Sequence, residues 1–268
     1  MHSPIIFIDL DDTVFQTKRK IPKDTPSEQL RLGAKGKVSD KNSYLTQTQQ
    51  QLFDWLSQSS LVIPVTGRTQ SSMERTLLPF ESYKVIHHGA IILSPSGEPL
   101  PEWQQYVSQQ HTSHEKVMRN LVEICHTACD EQRNSNIQSR TMINEINGSI
   151  SEIVIKLNNA VSLKRAEITA QLKVIKHAIE LKFDLGQVAV HQNENNITLS
   201  VPGVSKKEAV HWLVNGPMKS LEAENRLKIG IGDSLSDLPF MRYCDFFMLP
   251  VESQIDQAWQ DGTEKGGD

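Results

Sequence analysis

The run Ile5-Ile6-Phe7-Ile8, apolar throughout and followed at once by Asp9, constrains the fold more than any other stretch of the chain. A strand that is apolar on both faces has to be covered on both faces, which is the situation of a strand inside a parallel sheet flanked by helices. Further apolar-rich runs are Leu61 to Val65, Val85 to His87, Leu227 to Ile231 and Phe246 to Leu249. Helical spacing follows several of them, over Thr46 to Leu56, Ser71 to Leu78 and Ser205 to Val214. Strands alternating with helices predict βαβ units, and so an α/β fold built on a Rossmann-like parallel-sheet core. Pro64 has no N–H to give a sheet ladder, so a distortion is expected there.

The pattern changes after Ala90. Val117, Leu121, Ile124, Cys125 and Ala128 recur with helical spacing, and Ile137 to Ile143 and Ile153 to Leu157 then read as strands around an Asn147-Gly148 turn. The same order repeats, with a helix from about Ser162 to Ile179 and strands Val188 to His191 and Ile197 to Val201 on either side of Asn193-Glu194-Asn195-Asn196. This predicts an inserted α+β domain of αββαββ order over residues 90–201, with the core formed by 1–89 and 202–268. At 268 residues the chain is long enough for both.

Polar residues just past the carboxyl ends of strands carry the chemistry of open α/β sheets. Here they are Asp9, Asp11 and Thr13, then Thr66, then Asp233 and Asp237. A single Asp after a strand is ordinarily a turn former or helix cap, and Ser234-x-x-Asp237 itself has the capping-box form. Four carboxylates on one sheet edge repel one another unless a cation sits among them, and hard oxygen donors in that number suit Mg²⁺. Lys206 follows Ser205 in a second capping-box sequence, Ser205-Lys206-Lys207-Glu208, which places it in the first turn of a helix. The helix dipole disfavours a cation there, whereas a bound phosphate would favour it. A solvated surface lysine is the competing reading.

Charge and composition exclude other classes. Twenty-eight basic against thirty-two acidic residues give a net charge of −4, and the longest basic block is Lys18-Arg19-Lys20, so no nucleic-acid footprint is expected. No apolar run approaches the roughly 20 residues that a membrane helix needs. Three cysteines without a secretion signal fit buried thiols in a reducing cytoplasm, and no obligate protein partner is implied.

The residues resemble the four motifs of haloacid dehalogenase superfamily phosphatases. Ile5 to Phe15 carries Asp-x-Asp-x-Thr after its apolar strand, and Val65-Thr66-Gly67-Arg68 is similar to the second motif. Lys206 is similar to the third motif, and Gly232-Asp233-Ser234-Leu235-Ser236-Asp237 to the fourth. The resemblance implies that Asp9 attacks phosphorus to give an aspartyl-phosphate and that Asp11 is the general acid and base. It also implies Mg²⁺ held by Asp9, the Asp11 backbone carbonyl and Asp233, with Asp237 close by. Thr66, Lys206 and the amides of Leu10 and Gly67 would meet the phosphoryl group, and Thr13, Arg68 and His88 would shape the site. His88 stands where Cof-like members usually carry Asn. The insert is similar to the type II caps of sucrose-, trehalose- and mannosyl-phosphate phosphatases and would act as a mobile lid. The activity implied is Mg-dependent hydrolysis of a small phosphorylated metabolite, sugar phosphates first. A phosphomutase and a non-catalytic ligand-binding relative are the alternatives. The polar stretch between Phe15 and Thr46 is longer than the family's flap, and composition alone fits a flexible substrate-facing flap or a disordered loop equally.

Overall fold

The computed structural model describes residues 3–38, 41–132, 137–158, 163–192 and 195–263. Ser162, the expected helix start, and Asn193 and Glu194 of the Asn-rich turn lie outside them. Along the chain come β1 (Ile5–Ile8), β2 (Gln16–Thr17), β3 (Arg31–Ala34), β4 (Ser43–Leu45), α1 (Gln47–Ser59), β5 (Leu61–Pro64) and α2 (Gln70–Met73). Next are β6 (Lys84–Ile86), β7 (Ile91–Leu93), α3 (Pro101–Glu131), β8 (Ser139–Ile146), β9 (Ser149–Leu157) and α4 (Arg165–Glu180). The last are β10 (Ala189–Gln192), β11 (Asn196–Ser200), α5 (Lys206–Asn215), β12 (Lys228–Ile231), α6 (Leu238–Met241), β13 (Phe246–Met248) and α7 (Gln254–Thr263). The chain packs into two compact units, one running to Gln104 and resuming at Ser205, the other spanning Gln105–Val204.

The first unit is organised by a parallel sheet of order β13-β12-β1-β5. β1 is central, pairing from Ile5↔Lys228 to Ile8↔Ile231 on one side and from Ile5↔Leu61 to Ile8↔Pro64 on the other. All four of its side chains are buried, as its composition requires, and each stabilises the unit by about 1.5–3 kcal/mol relative to exposure. The distortion expected at Pro64 is absent. Leu61 donates to the Pro4 carbonyl and Val65 to Ile8, so the odd-numbered amides face β1 and the missing N–H of Pro64 points away from it. On that far side pairing starts only at the Val65↔Val85 bridge.

Three further expectations need correction. The helix expected over 71–78 stops at Met73, because Arg75 and Leu77 turn their backbones to the segment after Phe15. Lys35 N donates to Arg75 O at 2.9 Å, and Leu77 N to Gly33 O at 2.8 Å. That segment is an ordered three-stranded antiparallel sheet of order β2-β4-β3. Phe246 to Leu249, read as one of the buried strands, ends as β13 at Met248 and forms the open edge of the parallel sheet, with Phe246 66% exposed. Past Ala90, β7 folds back antiparallel onto β6, so this stretch packs with the first unit.

The second unit holds an antiparallel sheet of order β10-β11-β9-β8 together with most of α3 and with α4. Asn147 and Gly148 connect β8 to β9 with φ of 52° and 78°, the left-handed pair that a tight hairpin turn demands. Ile153, Ile155 and Leu157 alternate into the core from β9, and Ile197 and Leu199 do so from β11 beside them. The edge strand β8 leaves Met142 and Ile143 exposed. Buried Met118, Leu121, Cys125 and Ala128 of α3 and Leu172, Ile175 and Ile179 of α4 supply the helical side of this core. The three cysteines are free, and burial pushes the Cys125 and Cys244 thiols up to about 12. Among the described residues, no helix is long and apolar enough to cross a membrane.

Candidate active site

Asp9 is the first residue beyond β1, and its amide donates to the Ile231 carbonyl at 2.8 Å, prolonging the β1–β12 pairing by one step. That pairing brings the segment after β12 alongside. Gly232 is required there, since a Cβ would lie 2.6 Å from the Asp237 Cβ. Lys206 opens α5, whose N-cap Ser205 accepts from the Glu208 amide and donates to the Glu208 carboxylate.

These segments assemble a buried ionic cluster. Lys206 Nζ donates to Asp9 Oδ1 and to Asp237 Oδ1, at 2.7 Å each. Asp237 Oδ2 accepts from the Ser234 amide at 3.1 Å and the Ser234 hydroxyl at 2.8 Å, so Asp237 is both a cap of its own turn and a member of the cluster. Thr13 Oγ1 lies 3.4 Å from Asp9 Oδ2 and 3.2 Å from Asp233 Oδ1, and its single proton serves one of them at a time. One carboxylate oxygen from each of Asp9, Asp233 and Asp237 lies within 4.8 Å of the others.

Burial sets the charges here. Loss of water raises the Asp9 carboxyl well above the ordinary carboxylate range, against the attraction of Lys206 and with further repulsion from Asp237 and Asp233. Asp233 is pushed up to about 7, by burial first and then by Asp237 and Asp12, with the Thr13 hydrogen bond and Lys206 opposing. Burial alone would lower Lys206, but Asp237 and Asp9 outweigh it and hold the ammonium charged.

Asp11 is not part of this cluster. Arg68 grips its carboxylate through Nε to Oδ2 and Nη2 to Oδ1, both at 2.7 Å. The guanidinium also lies 4.6 Å from the centre of the Phe15 ring and reaches Ser72 and Thr76 through Nη1. Thr66 is buried, its hydroxyl accepting from the Arg68 amide and its carbonyl from the His88 amide. A side chain at Gly67 would collide with the His88 ring, so the two residues are close-packed. The amides of Leu10 and Gly67 donate to no protein group among the described residues.

The backbone of the turn that carries His88, and its partners Gly89 and Trp103, carried no signal in the sequence. His87 and His88 both adopt left-handed backbone, with φ of 50° and 55°, a strained pair for non-glycine residues. Gly89 follows at φ 100°, where a Cβ would strike the Ser205 carbonyl. The turn thus seats against the start of α5, and buried Trp103 fixes it by donating from Nε1 to the Gly89 carbonyl at 2.9 Å.

No family model matches the sequence, and no curated protein does. Solved structures match over nearly the whole chain. The sucrose-phosphatase of Synechocystis sp., solved with sucrose and phosphate, is 14% identical over 98% of each chain with a TM-score of 0.52. The C-terminal domain of C. albicans trehalose-6-phosphate phosphatase is 14% identical over 89% of this chain and 72% of its own, with a TM-score of 0.53. The IMP-bound IMP-nucleotidase of Plasmodium falciparum is 11% identical over 96% of this chain and 66% of its own, with a TM-score of 0.54. A parallel sheet with carboxylates at its strand ends, an antiparallel α+β insert and these likenesses together give the chain the fold of these solved structures.

Proposed function

We propose that this chain is a Mg²⁺-dependent phosphomonoester hydrolase acting on a small phosphorylated metabolite through an aspartyl-phosphate on Asp9. The observation that carries the reading is the buried cluster in which Lys206 bridges Asp9 and Asp237 beside Asp233. Three carboxylates and one ammonium leave two formal negative charges, which a divalent cation offsets, and the donors are all hard oxygens. Asp9 and Asp233 would hold the ion, together with the Asp11 backbone carbonyl. Asp237, whose oxygens already serve Lys206 and Ser234, would act at one remove. When bound, Mg²⁺ supplies positive charge to the phosphoryl oxygens.

The rest belongs to the chain. A carboxylate oxygen of Asp9 forms a bond to phosphorus as the bond to the leaving oxygen breaks, and Asp11, having left Arg68 and taken up a proton from solvent, gives that proton to the leaving oxygen. Asp11 then takes a proton from water, which attacks phosphorus and releases phosphate and a free Asp9. For both steps Asp11 exchanges its Arg68 partner for the reacting oxygen. Lys206, Thr66 and the amides of Leu10 and Gly67 meet the phosphoryl oxygens. The inserted unit is assigned the selection of the leaving group. Sugar phosphates come first among candidate substrates, supported by the likeness to the sucrose- and trehalose-6-phosphate phosphatases.

Excess EDTA abolishes p-nitrophenyl phosphate hydrolysis and Mg²⁺ restores it, with Ca²⁺ a poor substitute because of its larger, looser shell. Undiminished turnover in chelator overturns the reading. Asp11→Asn lowers turnover of alkyl phosphates by about 10²–10⁴-fold, and that of p-nitrophenyl phosphate less, since a good leaving group needs no proton. Equal losses on both would make Asp11 a purely structural partner of Arg68.

A third expectation concerns pH. Asp233 holds its proton more tightly folded, at about 7, than unfolded, near 3.8, so it makes the metal-free protein less stable as pH rises from about 4 through about 7. Mg²⁺ requires the ionised form, so its thermal stabilisation is larger at pH 8 than at pH 5. An equal shift at both would place the ion elsewhere.

A further inference from the structure

Beside the carboxylate cluster, α5 and α6 enclose an open groove of about 460 Å³ that the reaction does not use. Its walls are Lys207, Leu235, Leu238, Pro239, Arg242 and Tyr243. Two of the six are cations and none is an acid. Arg242 is exposed, and among the described residues its side chain makes no ion pair or hydrogen bond. The nearest carboxylate of Lys207 is Glu208 at 3.9 Å, a long contact between two partly exposed groups that contributes little. Stability does not explain two cations facing one groove with so little countercharge.

The rest of the wall is apolar and firm. Leu238, Pro239, Arg242 and Tyr243 are spaced to share one face of the α6 turn. Tyr243 is fixed from behind, its ring edge-on to His211 at 5.2 Å and its hydroxyl accepting from Asn215 Nδ2 at 3.0 Å. His211 and Asn215 follow Lys207 at helical spacing along α5. The groove thus offers cationic side chains and a held ring beside leucine and proline side chains.

We propose that this groove binds an organic phosphate, with its anionic head on Arg242 and Lys207 and its carbon portion against Leu235, Leu238, Pro239 and Tyr243. The head and body requirements come from different residues, so they can be tested apart. The inference does not rest on hydrolysis at Asp9, because binding is measured without turnover.

The probe is phenylphosphonate, which has no P–O–C bond to cleave, titrated calorimetrically into the full chain in EDTA so that cation-assisted binding at Asp9 does not contribute. A binding event is expected that Arg242→Gln and Lys207→Gln each weaken by about tenfold or more, the usual scale for losing one charge-assisted hydrogen bond. Inorganic phosphate, lacking the ring, binds the same groove more weakly. Both variants keep the parent melting temperature, since Arg242 makes no ion pair or side-chain hydrogen bond among the described residues and the long, exposed Lys207–Glu208 contact contributes little. Absence of any event, or one that survives both substitutions, overturns the proposal. Inorganic phosphate binding as tightly as phenylphosphonate overturns the organic part of it. If hydrolysis fails while this event is present, the groove stands and the reading of Asp9 falls.

Discussion

Asp9→Asn lowers turnover by at least about four orders of magnitude, the scale on which loss of a nucleophile acts, without unfolding the protein. The amide is nearly the size of the carboxylate and keeps a carbonyl oxygen for the Lys206 ammonium, now 2.7 Å from Asp9 Oδ1. It cannot attack phosphorus. The substitution also removes one of three crowded carboxylates, the one whose burial, with added repulsion from Asp237 and Asp233, already holds its carboxyl well above the ordinary range. Stability in EDTA therefore holds or rises as activity disappears. Steady-state hydrolysis of p-nitrophenyl phosphate and urea denaturation test the two halves separately, and turnover within tenfold of the parent removes Asp9 from the reaction.

Lys206→Met produces the largest change in stability. Methionine keeps much of the apolar stem and removes the ammonium, leaving Asp9 and Asp237 buried without a countercharge. Removing one partner from a buried ion pair costs about 3–5 kcal/mol, because the other charge stays out of water. The expected result in EDTA is a lower urea midpoint with an unchanged slope, partly recovered when Mg²⁺ is added. Activity falls as well, since the phosphoryl oxygens lose a cation. An unchanged midpoint would mean that the carboxylates are neutral in the folded protein, and the cluster would then have no countercharge for a divalent ion to offset.

The parallel sheet was readable because β1 is a short, unbroken apolar run and β12 an apolar-rich one, each with a carboxylate soon after it, a signal local to each strand. Pro64 misled because its effect depends on which side of the ladder its missing N–H faces, and that is decided by β1 rather than by β5. The helix after Thr69 was read too long because its end is imposed by pairing with Gly33 and Lys35, and propensity does not see a partner so far away. The stretch after Phe15 hid its order for a related reason. Its strands are two to four residues long and mostly polar, so they carry no usable period. β13 is apolar for reasons that its exposure leaves unexplained, and periodicity cannot separate such an edge from a core strand.

At the candidate site, residue identity was legible and partnership was not. Asp9, Asp233, Asp237 and Lys206 could be named from their places after strands and at a helix start. The bidentate Arg68–Asp11 pair joins residues 57 apart and leaves no pattern in either segment. The left-handed turn at His87 and His88 is likewise a consequence of packing Gly89 against Ser205, a contact between distant segments.

The pairing of β1 with β12 also sets an order of events as the chain folds. Ile5 must wait for Lys228, so the central sheet is among the last structures a ribosome can complete, and closing so long a loop is slow. The second unit is under no such constraint. Its β8–β9 hairpin turns at two adjacent residues, and the Tyr106 hydroxyl bonds the Gly203 carbonyl at 3.1 Å, drawing together the two points where the chain enters and leaves it. That unit can therefore be finished while β1, already able to pair with β5, still lacks β12 on its other side. During synthesis, apolar Ile5 to Ile8 is the segment that most needs shelter, and refolding yield should depend more on protecting it than on anything within the insert.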